Sequence, residues 1–144
     1  MQVSQRQILL VDDNHDTCEM MTLFLGLSDF KVRSAQTMTE GWRMAQSNHF
    51  DLCLLDSQLP DGSGYDLCRR IRALAPDLPV VFYSGHAYET DRQQGLAAGA
   101  QAYLIKPNDL NRIEEVMDKL IAVGGEPRLM PYFQANGASL QESL

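Results

Sequence analysis

Four consecutive apolar residues, Leu52 to Leu55, run straight into a carboxylate, Asp56, and then into a segment, 57–64, that holds one Pro and two Gly. The apolar run is too short for a helix and has no polar face, which suits a strand covered on both sides, as in a parallel sheet. The Pro- and Gly-containing segment makes the chain leave that strand through a loop. Ligands of open parallel sheets bind outside the carboxyl ends of the strands, so Asp56 stands where chemistry is usually done. Asp is also common at the start of turns, where it bonds to nearby backbone, and a plain turn is the alternative reading.

The same design recurs along the chain. Ile8 to Val11 ends on Asp12 and Asp13, and Cys18, Met21 and Leu25 then recur at helical spacing between Asn14 and Leu27. The acid pair can also cap that helix, although one acid would suffice. Phe30 to Ala35 alternates apolar and polar residues like an edge strand, and Thr37 or Thr39 can cap a second helix running to about Asn48, with Trp42 and Ala45 packing inward. A third helix spans Tyr65 to Ala75. A fourth strand, Pro79 to Tyr83, leaves on Ser84, Gly85 and His86. The helix signal from Tyr88 to Ala98 is weak, because Gly95 interrupts it and few residues are apolar. Gln101 to Ile105 is a fifth strand ending on Lys106 and Pro107, and Leu110, Ile113, Met117 and Leu120 stripe a final helix with Asn108 or Asp109 as its cap. Residues 7–123 are thus expected to be one domain. Residues 124–144, with two Pro and no sustained period, read as a tail or the start of a linker with no room for an output domain.

Composition narrows the function. A chain of 144 residues, 44% hydrophobic, is long enough for one well-cored domain. The net charge of -7 argues against direct binding of nucleic acid, which needs a basic patch. No apolar run approaches the roughly 20 residues of a membrane span, and the N-terminus lacks the apolar core of a signal peptide, so a cytoplasmic location without a membrane partner is the expectation. Cys18, Cys53 and Cys68 are odd in number and embedded in apolar patterns, as reduced core residues would be. His15 and His49 read as surface residues.

Five β-α units imply an α/β, flavodoxin-like, doubly wound five-stranded parallel sheet. If the order reverses beside the first strand, as 2-1-3-4-5, the first and third strands bring Asp12, Asp13 and Asp56 together. Three carboxylates that close repel unless a cation neutralises them, and hard oxygen ligands point to Mg²⁺ or Mn²⁺. The hydroxyl of Ser84 and the ammonium of Lys106 would complete a site for a phosphoryl group.

The motifs L-L-V-D-D-N, L-L-D-S-Q-L-P-D-G-S-G-Y, P-V-V-F-Y-S-G-H-A and A-A-G-A-Q-A-Y-L-I-K-P, in this order, resemble the receiver domains of two-component response regulators over residues 7–123. The resemblance implies a phosphorylation-dependent signalling switch in which Asp56 accepts a phosphoryl group from a phosphohistidine on a histidine kinase or phosphotransfer domain. It implies Mg²⁺ on Asp13, Asp56 and the backbone carbonyl of Gln58, with Asp12 acting mainly through water. Ser84 would bond to the phosphoryl oxygen, Lys106 would pair with it, and the Lys106–Pro107 bond would be cis. Tyr103 matches the aromatic switch position, its ring filling space vacated when Ser84 is drawn inward, and the face of the fourth helix, fifth strand and fifth helix would carry the signal to a downstream protein or output domain. Gln58 and His86 fall at positions that tune how long the phosphoryl group survives.

The resemblance also implies only self-catalysed transfer and hydrolysis rather than a true enzyme. Asn108 departs from the aromatic often found after the Lys-Pro pair. Other readings stand beside this one: a receiver-like adaptor that binds partners without phosphorylation, a metal-dependent phosphatase, disfavoured by acids on separate strands, and a flavin-binding domain, disfavoured by acids where a phosphate loop would be needed. A phosphorylation-dependent homodimer through the last two helices is a further partner to consider, with no charge pattern strong enough to predict it.

Overall fold

Ile8, Leu9, Leu10 and Val11 are all buried, so the strand that carries them, β1 (Arg6–Val11), is covered on both faces. It lies parallel to β2 (Phe30–Ala35) on one side and to β3 (Leu52–Leu55) on the other. The sheet continues through β6 (Val80–Ser84) and β7 (Ala102–Ile105), giving the order β2-β1-β3-β6-β7. Counted over these five strands alone, that is the expected 2-1-3-4-5. The computed structural model describes residues 5–123. The expected tail at 124–144 lies outside the described residues.

Alternation along the strands divides the core into two layers. Ile8, Leu10, Leu52, Leu54, Val81 and Leu104 point to one side, where α1 (His15–Gly26) and α5 (Ile113–Ala122) bury Met21, Leu25, Val116 and Leu120 against them. Leu9, Val11, Cys53, Leu55, Phe82 and Tyr103 point to the other, towards α2 (Met38–Ser47), α3 (Gly64–Leu74) and α4 (Glu89–Ala97). Trp42 packs at the margin of this layer, as its spacing predicts. The three cysteines are free and buried, and burial pushes the Cys53 and Cys68 thiols up to about 12, so they serve as small apolar side chains. Among the described residues no helix is long and apolar enough to cross a membrane.

Helix starts follow local chemistry. Asn14 accepts from the Thr17 N–H at 2.8 Å and so caps α1, which frees Asp12 and Asp13 from the capping task that was their alternative reading. Thr37, not Thr39, caps α2, and Ser63 caps α3. The final helix differs from expectation. A 3₁₀ turn (Leu110–Arg112) precedes α5, and neither Asn108 nor Asp109 makes a capping hydrogen bond there. The Asp109 carboxylate instead turns back to accept from the Ile105 N–H at 2.8 Å, because β7 is an edge strand and that donor has no neighbouring strand to bond to.

Two short segments went unread as structure in the sequence: β4 (Gln58–Leu59) and β5 (Gly62–Ser63) form a small antiparallel pair after Asp56. Gly95 also plays a different part from the one its sequence context suggests. It does not interrupt α4. A Cβ there would stand 2.7 Å from the Tyr103 ring and 3.0 Å from the Phe82 ring, so the glycine lets the helix settle on the sheet.

Candidate functional site

Val11 and Leu55 are register partners at the ends of neighbouring parallel strands, so the residues that follow them emerge side by side. Asp12 and Asp56 are those residues, and Asp13 comes next. Carboxylate oxygens of all three lie within 4.8 Å of one another. Asp12 is buried, Asp56 half-buried and Asp13 exposed, so the cluster opens to solvent on one side.

Lys106 reaches the cluster from the exit of β7. Its Nζ lies 2.6 Å from Asp12 Oδ2 and 3.3 Å from Asp56 Oδ2, and the Lys106–Pro107 peptide is cis. Burial pushes the Asp56 carboxyl above the ordinary carboxylate range, with the Lys106 ammonium opposing that shift and Asp12 adding to it. Burial works against the charge of Lys106 as well, but Asp12 and Asp56 outweigh it and hold the ammonium above its usual pKa. Three ionised carboxylates against one ammonium leave two negative charges uncompensated. A donor set of carboxylate oxygens, one side open to water, fits a hard divalent cation such as Mg²⁺.

The loop after Asp56 is tied down from several directions. The Ser57 N–H donates to Asp56 Oδ1 at 2.7 Å and orients the carboxylate. Asp61 accepts from the Met38 and Thr39 N–H groups at 2.7 and 2.9 Å and from the Thr39 hydroxyl at 2.7 Å, which fastens the β4–β5 turn to the start of α2. Those bonds hold its carboxyl down at about 2. Gly64 donates its N–H to the Ser57 carbonyl, and a Cβ at Gly64 would sit 1.9 Å from the Asp56 carbonyl oxygen. Only glycine permits that approach.

Ser84 is fully buried at the exit of β6. Its Oγ accepts from the His86 N–H at 3.1 Å and lies 2.7 Å from the hydroxyl oxygen of Ser57, so it is engaged with Ser57 rather than with Asp56 or Lys106. Tyr103 is buried too, its ring packed against Phe82 and its hydroxyl donating to the His86 carbonyl at 2.7 Å. The ring is packed inward, and its hydroxyl joins it to the loop that follows Ser84. Gln58 and His86 are exposed on the rim. His15 and His49 lie on the surface, facing Glu19 and Asp51.

Sequence reasoning overlooked Ser57, Asp61 and Tyr65. Ser57 and Asp61 looked like ordinary turn residues, and each acts on a partner more than twenty positions away. Tyr65, whose hydroxyl donates to the Asp91 carbonyl in the first turn of α4, read as the first residue of a helix.

A doubly wound parallel sheet with an acidic centre and a lysine at its carboxyl edge defines a class of domain, and comparison with known proteins gives its family. The family described as "Response regulator receiver domain" matches residues 8–118. Response regulator protein PilR of Pseudomonas aeruginosa is 37% identical over 115 residues, which cover 80% of this chain and 26% of that protein. Response regulator Rre1 of Synechocystis sp. is 36% identical, covering 80% of this chain and 51% of that one. The chain thus spans between about a quarter and about half of these relatives. Among solved structures, the non-phosphorylated HemR receiver domain of Leptospira biflexa is 32% identical with a TM-score of 0.75, over 82% of this chain and 95% of that one. A CheY-like receiver domain of Methanospirillum hungatei is 31% identical with a TM-score of 0.74, over 81% and 96%. The chain belongs to the response regulator receiver domain family of two-component systems.

Proposed function

We propose that this domain is a phosphorylation-dependent switch in which Asp56 accepts a phosphoryl group from a phosphohistidine on a histidine kinase or phosphotransfer partner. A carboxylate oxygen of Asp56 forms the new bond to phosphorus as the P–N bond breaks, and the leaving imidazole takes up a proton. The observation that carries this reading is the convergence of Asp12, Asp13, Asp56 and Lys106 at the ends of three strands. Asp13 and Asp56, with the Gln58 carbonyl, would hold Mg²⁺, and Asp12 would act through water. Bound there, the ion neutralises charge that develops on the phosphoryl oxygens.

The protein's own groups do the rest. The Ser57 N–H orients the nucleophile, the Lys106 ammonium balances the transferred charge, and Ser84 turns to donate to a phosphoryl oxygen. Phosphorylation adds about -1.5 to -2 charge. Movement of Ser84 pulls the 84–86 backbone, to which the Tyr103 hydroxyl is bonded, and so reaches the face of α4, β7 and α5. That face would signal to a downstream protein or output domain in the cytoplasm. Gln58 and His86, exposed beside the site, would set how fast water removes the phosphoryl group.

Intact-mass spectrometry after incubation with acetyl phosphate and Mg²⁺ tests the acceptor. One phosphoryl adduct is expected on the wild type, none on Asp56→Ala and none after chelation of the metal. An unmodified wild type that nevertheless binds its partners equally as Asp56→Asn would favour a phosphorylation-independent adaptor instead.

A further inference from the structure

Ser57 and Ser84 are among the few buried polar residues of the domain, 1% and 0% exposed, and they face each other across 2.7 Å from two different strand exits. A hydroxyl has one proton to donate. The Ser84 oxygen already accepts from the His86 N–H, and the Ser57 hydroxyl is its neighbouring side-chain partner. The same Ser57 donates its backbone N–H to Asp56 Oδ1 and its carbonyl accepts from the Gly64 N–H, so its backbone is held by two bonds that do not involve Ser84.

We propose that Ser57 is a positioning residue: its hydroxyl holds Ser84 in the resting state, and loading of Asp56 requires Ser84 to exchange this partner for a phosphoryl oxygen. This rests on the phosphoacceptor reading above and adds to it a residue that sets the balance between the two states. The hydroxyl pair is buried away from water, so breaking it carries the cost of a lost hydrogen bond, which must come out of the affinity for the phosphoryl group. The Tyr65 phenol, bonded to the first turn of α4 through the Asp91 carbonyl, is a further neighbour. Burial and the Tyr103 hydroxyl raise its pKa while Ser57 lowers it. Ser57 therefore stands between the hydroxyl that must move and a side chain tied to α4.

The test uses the full chain as wild type, Ser57→Ala, Ser84→Ala and the double variant. Affinity for beryllofluoride, a phosphoryl mimic, is measured at saturating Mg²⁺, and hydrogen exchange of the His86 amide is measured by NMR without either. Ser57→Ala is expected to bind beryllofluoride about three- to tenfold more tightly, the scale of one net hydrogen bond. Ser84→Ala is expected to bind more weakly, and the double variant to match Ser84→Ala. A merely structural Ser57 would instead lower stability and weaken binding. Unchanged or weaker affinity in Ser57→Ala, or a gain that persists without the Ser84 hydroxyl, overturns the proposal. Should the wild type take up no beryllofluoride, the phosphoacceptor reading fails, and the hold on Ser84 is still read from the free protein: faster His86 exchange in Ser57→Ala supports it, equal exchange overturns it.

Discussion

At the residue scale, Asp12, Asp13 and Asp56 repel one another, and among the described residues Lys106 is the cation that pairs with the cluster, so the site stores unfavourable charge that a divalent ion would relieve. Mg²⁺ is expected to raise the unfolding midpoint of the wild type by binding the folded state alone. Asp13→Asn, on the exposed side of the cluster, is expected to raise stability slightly in chelator, by about 0.5 kcal/mol, and to lose most of the Mg²⁺ response. Thermal melts with Mg²⁺ and with chelator check both halves. Gly64→Ala should cost about 3 kcal/mol in urea unfolding, because its Cβ would collide with the Asp56 carbonyl. Gly26→Ala, with nothing within 4 Å, is the matched control and should be neutral or stabilising by about 0.5 kcal/mol. Asp12, Asp13, Asp56, Ser84 and Lys106 were legible in the sequence because each ends an apolar strand or lies within two residues of its end, a signal carried by the chain around it. Ser57 and Tyr65 were not. What they do depends on partners in other elements, and nothing in their own neighbourhood marks it.

At the element scale, the loop carrying the site is held against α2 by Asp61, whose carboxylate takes two backbone N–H groups and a hydroxyl. Its carboxyl titrates at about 2 in the folded state, against about 3.9 in an unfolded chain. A depressed folded value means that the stabilisation is complete above the unfolded value and is lost as the pH falls through the folded one. The difference in unfolding midpoint between wild type and Asp61→Asn is therefore expected to be constant above about pH 4 and to shrink towards about pH 2. A difference independent of pH across that window would show that the charge of Asp61 does nothing for the fold. The strands of the sheet were readable from their apolar runs, or for β2 from its alternation, and α1, α2 and α3 from the spacing of their apolar residues. The β4–β5 pair was not, since two residues per strand are too few to show a period of two. The start of α5 was misread because Asp109 serves the open edge of β7, a demand set by sheet order rather than by the helix.

Over the whole molecule, the site sits at one end of the sheet and connects to α4 and β7 by two routes. One runs from Ser84 through the His86 backbone to Tyr103, and the other through Tyr65 to the first turn of α4. Apart from Gly95, α4 (Glu89–Ala97) buries none of its residues fully, so the helix is held largely by its contact with Tyr103 and Phe82 and by its ends. An element held so lightly is one whose protection a change at Ser84 can alter. The sequence showed α4 to be poor in apolar residues, and that part of the reading carries over to the structure. What it could not show is that the ring of Tyr103 is packed inward with its hydroxyl bonded to the His86 carbonyl. The proposed switch would draw on the hydrogen bonds at His86, which join Ser84 to Tyr103.

Hydrogen exchange of the free domain against the domain with Mg²⁺ and beryllofluoride, with Asp56→Asn as control, measures the coupling between site and face. Altered protection in α4, β7 and the first turns of α5, absent in Asp56→Asn, is the predicted result. Changes confined to the loops around Asp12, Asp56 and Lys106, with α4 and Tyr103 exchanging as before, would contradict it.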